Sequence, residues 1–310
     1  MYDGLKTFSV GFGASTDELE DAKETANFFG TDHHELYVEA DKISNILPKI
    51  IWHLDEPIAD PATIPVYLMS ELTKRYVSVV LTGEGADELF AGYPKYKLFS
   101  GFFKSIPDRW KYNLYMYSPP SNVFDEKEKN TLFLDNKFTR NDYAKDIIID
   151  KDKFGMNDLL KKDIEYWLPN YLLTKVDKMT MAHSLELRVP FLDKEVAGFA
   201  RTIPDRLKFK NGATKYLLRK ASKAFVPPRT QVRRKLGFPV PLAGWLRERT
   251  DWSDALLAHP FISSRFDTEV IKKLVDDHVA GKKDNARKIF VFLMLAAWHS
   301  AYFGETSFDY

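Results

Sequence analysis

Val77-Ser78-Val79-Val80-Leu81-Thr82-Gly83-Glu84-Gly85-Ala86-Asp87-Glu88 passes from a nearly unbroken β-branched run straight into a small, flexible, acidic turn. The run over 77–81 suits a strand buried on both faces. The turn after it then stands at the carboxyl end of that strand, the edge at which open α/β sheets bind ligands. Gly83 and Gly85 let the backbone come close to a ligand, and the Thr82 hydroxyl and nearby amides offer contacts to a phosphate or a sugar hydroxyl. Glu84, Asp87 and Glu88 suit a Mg²⁺ site beside a nucleotide, because a hard cation bridges one or two carboxylates to phosphates. The same carboxylates equally suit a plain helix N-terminus, where the macrodipole favours negative charge. Both readings stand on the turn alone.

Upstream of the turn, short apolar runs alternate with amphipathic stretches, the pattern that builds parallel sheets covered by helices. Lys6–Gly11 reads as a strand. Ser15 with Glu18 three residues on makes a capping box for a helix carrying Leu19, Ala22, Ala26 and Phe29 on one face, and Gly30 offers its left-handed cap. A strand over 35–38 follows, then a helix with the stripe Ile43, Ile46, Leu47, Ile50 and Leu54 that ends before Pro57. A Pro-rich loop over 55–65 and a short helix over 66–75 lead back to the strand. Downstream, residues 99–150 read as an irregular linker or insertion with Pro107, Pro119, Pro120 and the aromatic cluster Tyr112, Tyr115 and Tyr117. Beyond it helical spacing dominates, as in Leu159, Ile164, Leu168 and Leu172 and then Leu217, Leu218 and Ala221. The expected fold class is α/β, with a nucleotide-binding α/β region over 1–105 and a mainly helical remainder over 106–310.

The chain has 310 residues, 45% of them hydrophobic, and 45 basic against 44 acidic side chains leave a net charge of +1. That excludes a disordered or collagen-like chain and leaves enough apolar material for a sizeable core. Balanced charge predicts no bulk attraction to nucleic acid or membrane. The absence of cysteine excludes disulfides, thiolate metal sites and a catalytic thiol, and a cytoplasmic enzyme is the expectation. The most apolar stretch, 289–298, falls far below the roughly 20 residues that span a bilayer and reads as a buried helix. No secretory signal is visible at the N-terminus.

Cations and carboxylates interleave in Lys175-Val176-Asp177-Lys178-Met179 and in Arg188-Val189-Pro190-Phe191-Leu192-Asp193, which suits either a structural ion-pair network or a substrate pocket. Lys215 opens a helix after Asn211-Gly212-Ala213-Thr214, ordinarily the place of a solvated lysine. Arg233-Arg234-Lys235 is a short basic run within reach of phosphates or simply solvated. His33 and His34, adjacent in a strand, point to opposite faces and cannot share a metal. The zincin, α/β-hydrolase and P-loop signatures do not occur.

Read in order, Thr7-Phe8-Ser9-Val10-Gly11-Phe12, Gly30-Thr31-Asp32-His33-His34-Glu35, Asp55-Glu56-Pro57, the acidic turn, Arg188-Val189-Pro190-Phe191-Leu192-Asp193 and Lys235-Leu236-Gly237-Phe238-Pro239-Val240-Pro241 resemble the synthetase half of the glutamine-dependent, B-type asparagine synthetases nearly end to end. The resemblance implies an adenine nucleotide alpha-hydrolase-like (ATP-pyrophosphatase) parallel sheet with flanking helices. It further implies Mg²⁺-dependent activation of aspartate by ATP to a β-aspartyl-adenylate, then attack by ammonia. The position matching Val10 lies against the adenine in that family, and those matching Thr82 and Gly83 belong to the ATP site. Glu84 matches a general base acting on ammonia, Asp87 a Mg²⁺-linked carboxylate, and Lys215 the lysine that neutralises charge developing on the phosphate.

Two departures from the family stand out. Its Ser-Gly-Gly-x-Asp-Ser pyrophosphate loop, with the strand before it, belongs upstream of Lys6, and no Ser-Gly-Gly occurs here, so the sheet is expected to be truncated at its N-terminus. The glutaminase domain with its N-terminal cysteine is expected upstream or on another chain, leaving free ammonia as the nitrogen source. A homodimer is compatible with the resemblance. The alternatives are a related amide-forming ATP enzyme of the β-lactam synthetase, peptide cyclase or polysaccharide amidotransferase type, or an inactive piece acting as an assembly module. An exposed edge at Lys6–Gly11 would favour association.

Overall fold

Parallel pairing of β1 (Lys6–Gly11) with β2 (Asp32–Tyr37) sets Lys6 opposite Asp32 and Gly11 opposite Tyr37. The computed structural model that shows this describes residues 4–13, 17–39, 43–99, 105–111, 123–135, 154–232 and 240–304. Helix α1 (Leu19–Phe29) connects the two strands and ends on Gly30, whose left-handed backbone (φ 66°) directs its N–H to the Ala26 and Asn27 carbonyls. Gly11 is required beneath this helix, since a Cβ there would run into Leu19. Residues 35–38 were too narrow a reading of β2. The strand starts at Asp32 because β1 satisfies its polar residues: Lys6 pairs with Asp32, and His33 meets the Thr7 hydroxyl at 2.8 Å and the Ser9 hydroxyl at 3.0 Å. His34 leaves by the other face and stacks on Phe8 and Tyr76, as alternation requires.

Two helices, α2 (Ile43–Leu54) and α3 (Thr63–Lys74), carry the chain to β3 (Val79–Leu81). Helix α3 begins earlier than expected, because Pro65 sits in its first turn, where a missing N–H costs nothing. Strand β3 pairs in parallel with β4 (Glu186–Arg188), so the second pair of strands joins an early segment to a late one. The expectation of a strand over 77–81 buried on both faces is corrected here. Only three residues pair, and Val79 and Leu81 stand 49% and 68% exposed, because β3 has a single strand neighbour among the described residues and an uncovered face. Val79, Glu186, Arg188, Asp177 and Met181 line an open groove of about 700 Å³ on that face.

The largest apolar core joins α2 and α3 to the helix Ala286–Phe303, which buries Ile289, Phe290, Phe292, Leu293 and Met294. Trp298 donates its indole N–H to the Asp55 carbonyl, and Tyr302 its hydroxyl to the Trp52 carbonyl, stapling this helix to the end of α2. No helix among the described residues is long and apolar enough to cross a membrane.

Three further expectations are revised. Ser15 lies outside the described residues, and α1 begins at Leu19 with Glu18 at the capping position and no side-chain cap. Within 99–150, the helix Glu126–Leu132 was not anticipated, although Asp125 and Glu128 cap it reciprocally. Tyr112, Tyr115 and Tyr117 lie outside the described residues. The stripe Ile164, Leu168 and Leu172 is helical but belongs to an eleven-residue π-helix, Asp163–Leu173. Long π-helices are rare. Here Pro169 removes one backbone donor, and the Thr174 hydroxyl reaches back five residues to the Pro169 carbonyl at 2.7 Å. The π-helix continues directly into the helix Thr174–Met181, which leads to β4.

Candidate active site

At the end of β3 the Thr82 N–H donates to the Arg188 carbonyl at 3.0 Å, carrying the β3–β4 ladder one residue into the acidic turn. Gly85 then takes a left-handed conformation (φ 85°) with Leu192 packed against its Cα, so a side chain is excluded twice over. The five-residue helix α4 (Ala86–Phe90) follows and closes on Ala91, also left-handed (φ 59°). Gly83 has open space where a Cβ would stand, leaving its backbone approachable. Thr82 Oγ1 is buried and has no hydrogen-bond partner among the described residues. A buried hydroxyl is seldom left so, and this one stands at the carboxyl end of a strand.

Asp87 and Lys215 meet across the turn, Nζ to Oδ1, at 3.1 Å. An apolar cluster brings them together: Leu89 and Phe90 of α4 pack with Leu217 and Leu218 of the helix Tyr216–Ser222, alongside Phe191 and Leu192. Lys215 itself is left-handed (φ 52°), a conformation rare outside glycine and costly for a side chain. Gly92 lies under the pair. A Cβ there would collide with the Asp87 carboxylate and the Lys215 side chain, so the ion pair needs glycine at this position.

Behind the pair runs a buried polar chain. Glu88, 1% exposed, accepts the Tyr93 hydroxyl at 2.5 Å. Burial pushes the Glu88 carboxyl above the ordinary carboxylate range, against the pull of that hydrogen bond. The Tyr93 phenol is pushed well up by burial and by the carboxylates it faces, Glu88 first, then Asp87 and Glu84. Next to it, Asp163 accepts Lys95 Nζ and the Tyr96 hydroxyl, each at 2.5 Å, and Lys95 Nζ lies 5.2 Å over the Tyr93 ring. Burial holds Asp163 above the carboxylate range in spite of the ammonium.

The structure thus gathers Thr82, Gly83, Glu84, Asp87 and Lys215 at one end of the β3–β4 pair. Val10 lies in the separate β1–β2 pair, packed on the large core beside Phe12. The interleaved charges resolve into ion pairs: Lys175 with Asp60 at 2.7 Å, Lys178 with Asp55, and Arg188 with Glu186 at 2.5 Å. Arg233, Arg234 and Lys235 lie outside the described residues. Sequence reading missed Gly92, Tyr93, Lys95 and Asp163. Of these only Gly92 left a local signal, a glycine just past a short helix. The described residues hold no group of three or more carboxylate or imidazole side chains able to bind a metal unaided. Asp87 offers one oxygen ligand, which suits a Mg²⁺ completed by a bound phosphate chain and no metal alone.

A family model described as asparagine synthase matches residues 2–300. The chain is 39% identical to asparagine synthetase [glutamine-hydrolyzing] 1 of Bacillus subtilis (strain 168), over 97% of its own length and 52% of that protein's. A relative in Mycobacterium bovis, also named as an asparagine synthetase, is 32% identical over 96% of this chain and 51% of its own length. Asparagine synthetase [glutamine-hydrolyzing] 3 of Bacillus subtilis is 30% identical over 68% of this chain and 34% of its own. The chain therefore spans about half the length of the first two relatives. A match that runs nearly from end to end, on a site built from the turn at the end of β3, decides the matter: the chain belongs to the asparagine synthase family.

Proposed function

We propose that this chain is the synthetase part of a glutamine-dependent asparagine synthetase. It joins the side-chain carboxylate of aspartate to the AMP moiety of ATP, releasing pyrophosphate, and ammonia then displaces AMP to give asparagine. The observation that carries this reading is the Asp87–Lys215 pair beside the partnerless Thr82 hydroxyl at the carboxyl end of β3.

Thr82 and the open backbone at Gly83 hold the nucleotide, with Val10 against the adenine. The Lys215 ammonium lies where negative charge grows on the phosphate, and a fixed cation there lowers the barrier without reorganising. Glu84 takes a proton from the attacking ammonia. Asp87 would hold Mg²⁺, which when bound supplies charge neutralisation at the phosphates. The finer architecture belongs to the same proposal: residues 1–105 form an ATP-pyrophosphatase-type sheet region and 106–310 the helical remainder. A glutaminase domain, on the same longer chain or on another, supplies ammonia in the cytoplasm, and a homodimer is the proposed assembly.

The test is aspartate-dependent exchange of labelled pyrophosphate into ATP, with Mg²⁺ and with Lys215→Ala as control. Exchange that requires both aspartate and Lys215 supports the reading. Exchange driven by another carboxylic acid transfers the site to a different amide-forming enzyme, and exchange untouched by Lys215→Ala refutes the role given to that lysine.

A further inference from the structure

Helix α4 has five residues and stands between two left-handed positions, Gly85 and Ala91. So short a helix has almost no stability of its own. The direction in which it points Asp87 must come from what grips it. The apolar grip of Leu89 and Phe90 fixes its depth. Its rotation is fixed on the polar side, where Glu88, the next residue after Asp87, is tied to Tyr93. Tyr93 lies against Lys95, whose ammonium is held over the Tyr93 and Tyr96 rings at 5.2 and 5.6 Å. Lys95 in turn is anchored on Asp163, the first residue of the π-helix, 1% exposed and sharing its carboxylate with the Tyr96 hydroxyl. Desolvating a buried pair of this kind largely cancels its attraction, so stability alone gives little reason for it, whereas it restricts the arrangements its neighbours can adopt.

We infer that Lys95 and Asp163 are positioning residues. Through Tyr93 and Glu88 they set the rotation of α4, and so hold the Asp87 carboxylate against the Lys215 ammonium. The π-helix is then the frame on which the acidic turn is mounted, since α4 packs against it. This rests on the adenylation reading for its catalytic consequence and on geometry alone for its structural one.

The deciding comparison is Lys95→Met with Asp163→Asn in one protein, which removes both charges at similar volume and leaves the Tyr96 hydroxyl an acceptor, beside Lys95→Arg, which keeps the cation. Lys215 is labelled with a succinimidyl ester and read by peptide mass spectrometry, with exposed Lys220 on the same helix as internal reference. The expected result is a rise of about five-fold in the Lys215-to-Lys220 labelling ratio in the double variant and a ratio near wild type in Lys95→Arg. In pyrophosphate exchange the same double variant should lose kcat, with the KM for ATP little changed. An unchanged labelling ratio in a folded double variant overturns the inference. If the double variant does not fold, Tyr96→Phe, which removes one neutral donor to Asp163, must raise the ratio by about two-fold, and a flat ratio there overturns it equally. The labelling ratio decides the positioning role whether or not the wild type exchanges pyrophosphate, so failure of the adenylation reading and failure of this inference are read separately.

Discussion

Lys215 Nζ stands 3.1 Å from Asp87 Oδ1, directly above the Cα of Gly92. The two charges come from distant parts of the chain, and each side chain is mostly buried, at 20% and 13% exposure. What admits both is the absence of a single carbon atom. Glycine at 92 is therefore as much a component of the site as either charge, while Gly83, at the far end of the same turn, has nothing pressing on it.

This contrast gives the first prediction. Gly92→Ala should destabilise the fold by about 1–3 kcal/mol through overpacking, and should part Asp87 from Lys215. Gly83→Ala should shift stability by no more than about 0.5 kcal/mol, and act instead on nucleotide affinity. Urea unfolding and ATP titration of the two variants separate these outcomes.

The order of elements from β1 through α3 was legible in the sequence because each carries its own period and punctuation. The Ile43–Leu54 stripe and the Gly30 cap are examples, and the six ordered segments were enough to indicate the family. What stayed hidden was set by pairing across long separations. No local pattern says that Asp163 will accept Lys95, or that three residues at 186–188 will pair with β3. The π-helix was hidden for another reason: over eleven residues its wider turn leaves an apolar stripe that an ordinary helix also gives. The hydrophobic run over 77–81 misled because composition reports what a strand prefers to have beside it and not what is there.

Thr82→Val tests the partnerless hydroxyl. Removing a buried donor that makes no bond should leave the protein without nucleotide as stable as wild type or slightly more so, and should weaken ATP binding by about 1 kcal/mol, roughly five-fold. A stability loss on its own, with affinity unchanged, would assign the hydroxyl to the fold.

Glu88 predicts a pH dependence. Its folded pKa lies above the ordinary value of 4.5, chiefly because it is buried, so the folded state holds its proton more tightly than the unfolded one. The stability this contributes is complete below that ordinary value and is lost as pH rises through the raised one. Glu88→Gln keeps an acceptor for Tyr93 and cannot ionise. It should match wild type in acid and be the more stable protein at neutral pH, as chemical unfolding across pH 4–8 would report.

Asp60 behaves with the opposite sign. Burial works against its ionised form, but the Lys175 ammonium at 2.7 Å, with the Ala62 N–H and Tyr171 hydroxyl, outweighs burial and lowers its pKa. Its contribution is present above the unfolded value of 3.8 and disappears as pH falls through the lowered one. Lys175→Ala strands the carboxylate and should cost about 3 kcal/mol at neutral pH, with the deficit shrinking in acid.

The pairing of β3 with β4 also sets a timetable for biosynthesis. During translation the acidic turn emerges long before the segment that completes its strand pair, and Lys215 follows later still. At about 5–20 residues per second that wait lasts on the order of ten seconds, during which Val79 and Leu81 lie on an unpaired strand. Such a segment is where nascent chains aggregate. A ribosome paused between residues 90 and 160 would hold a chain that has Glu84, Asp87 and Glu88 of the site but lacks Asp163, β4 and Lys215.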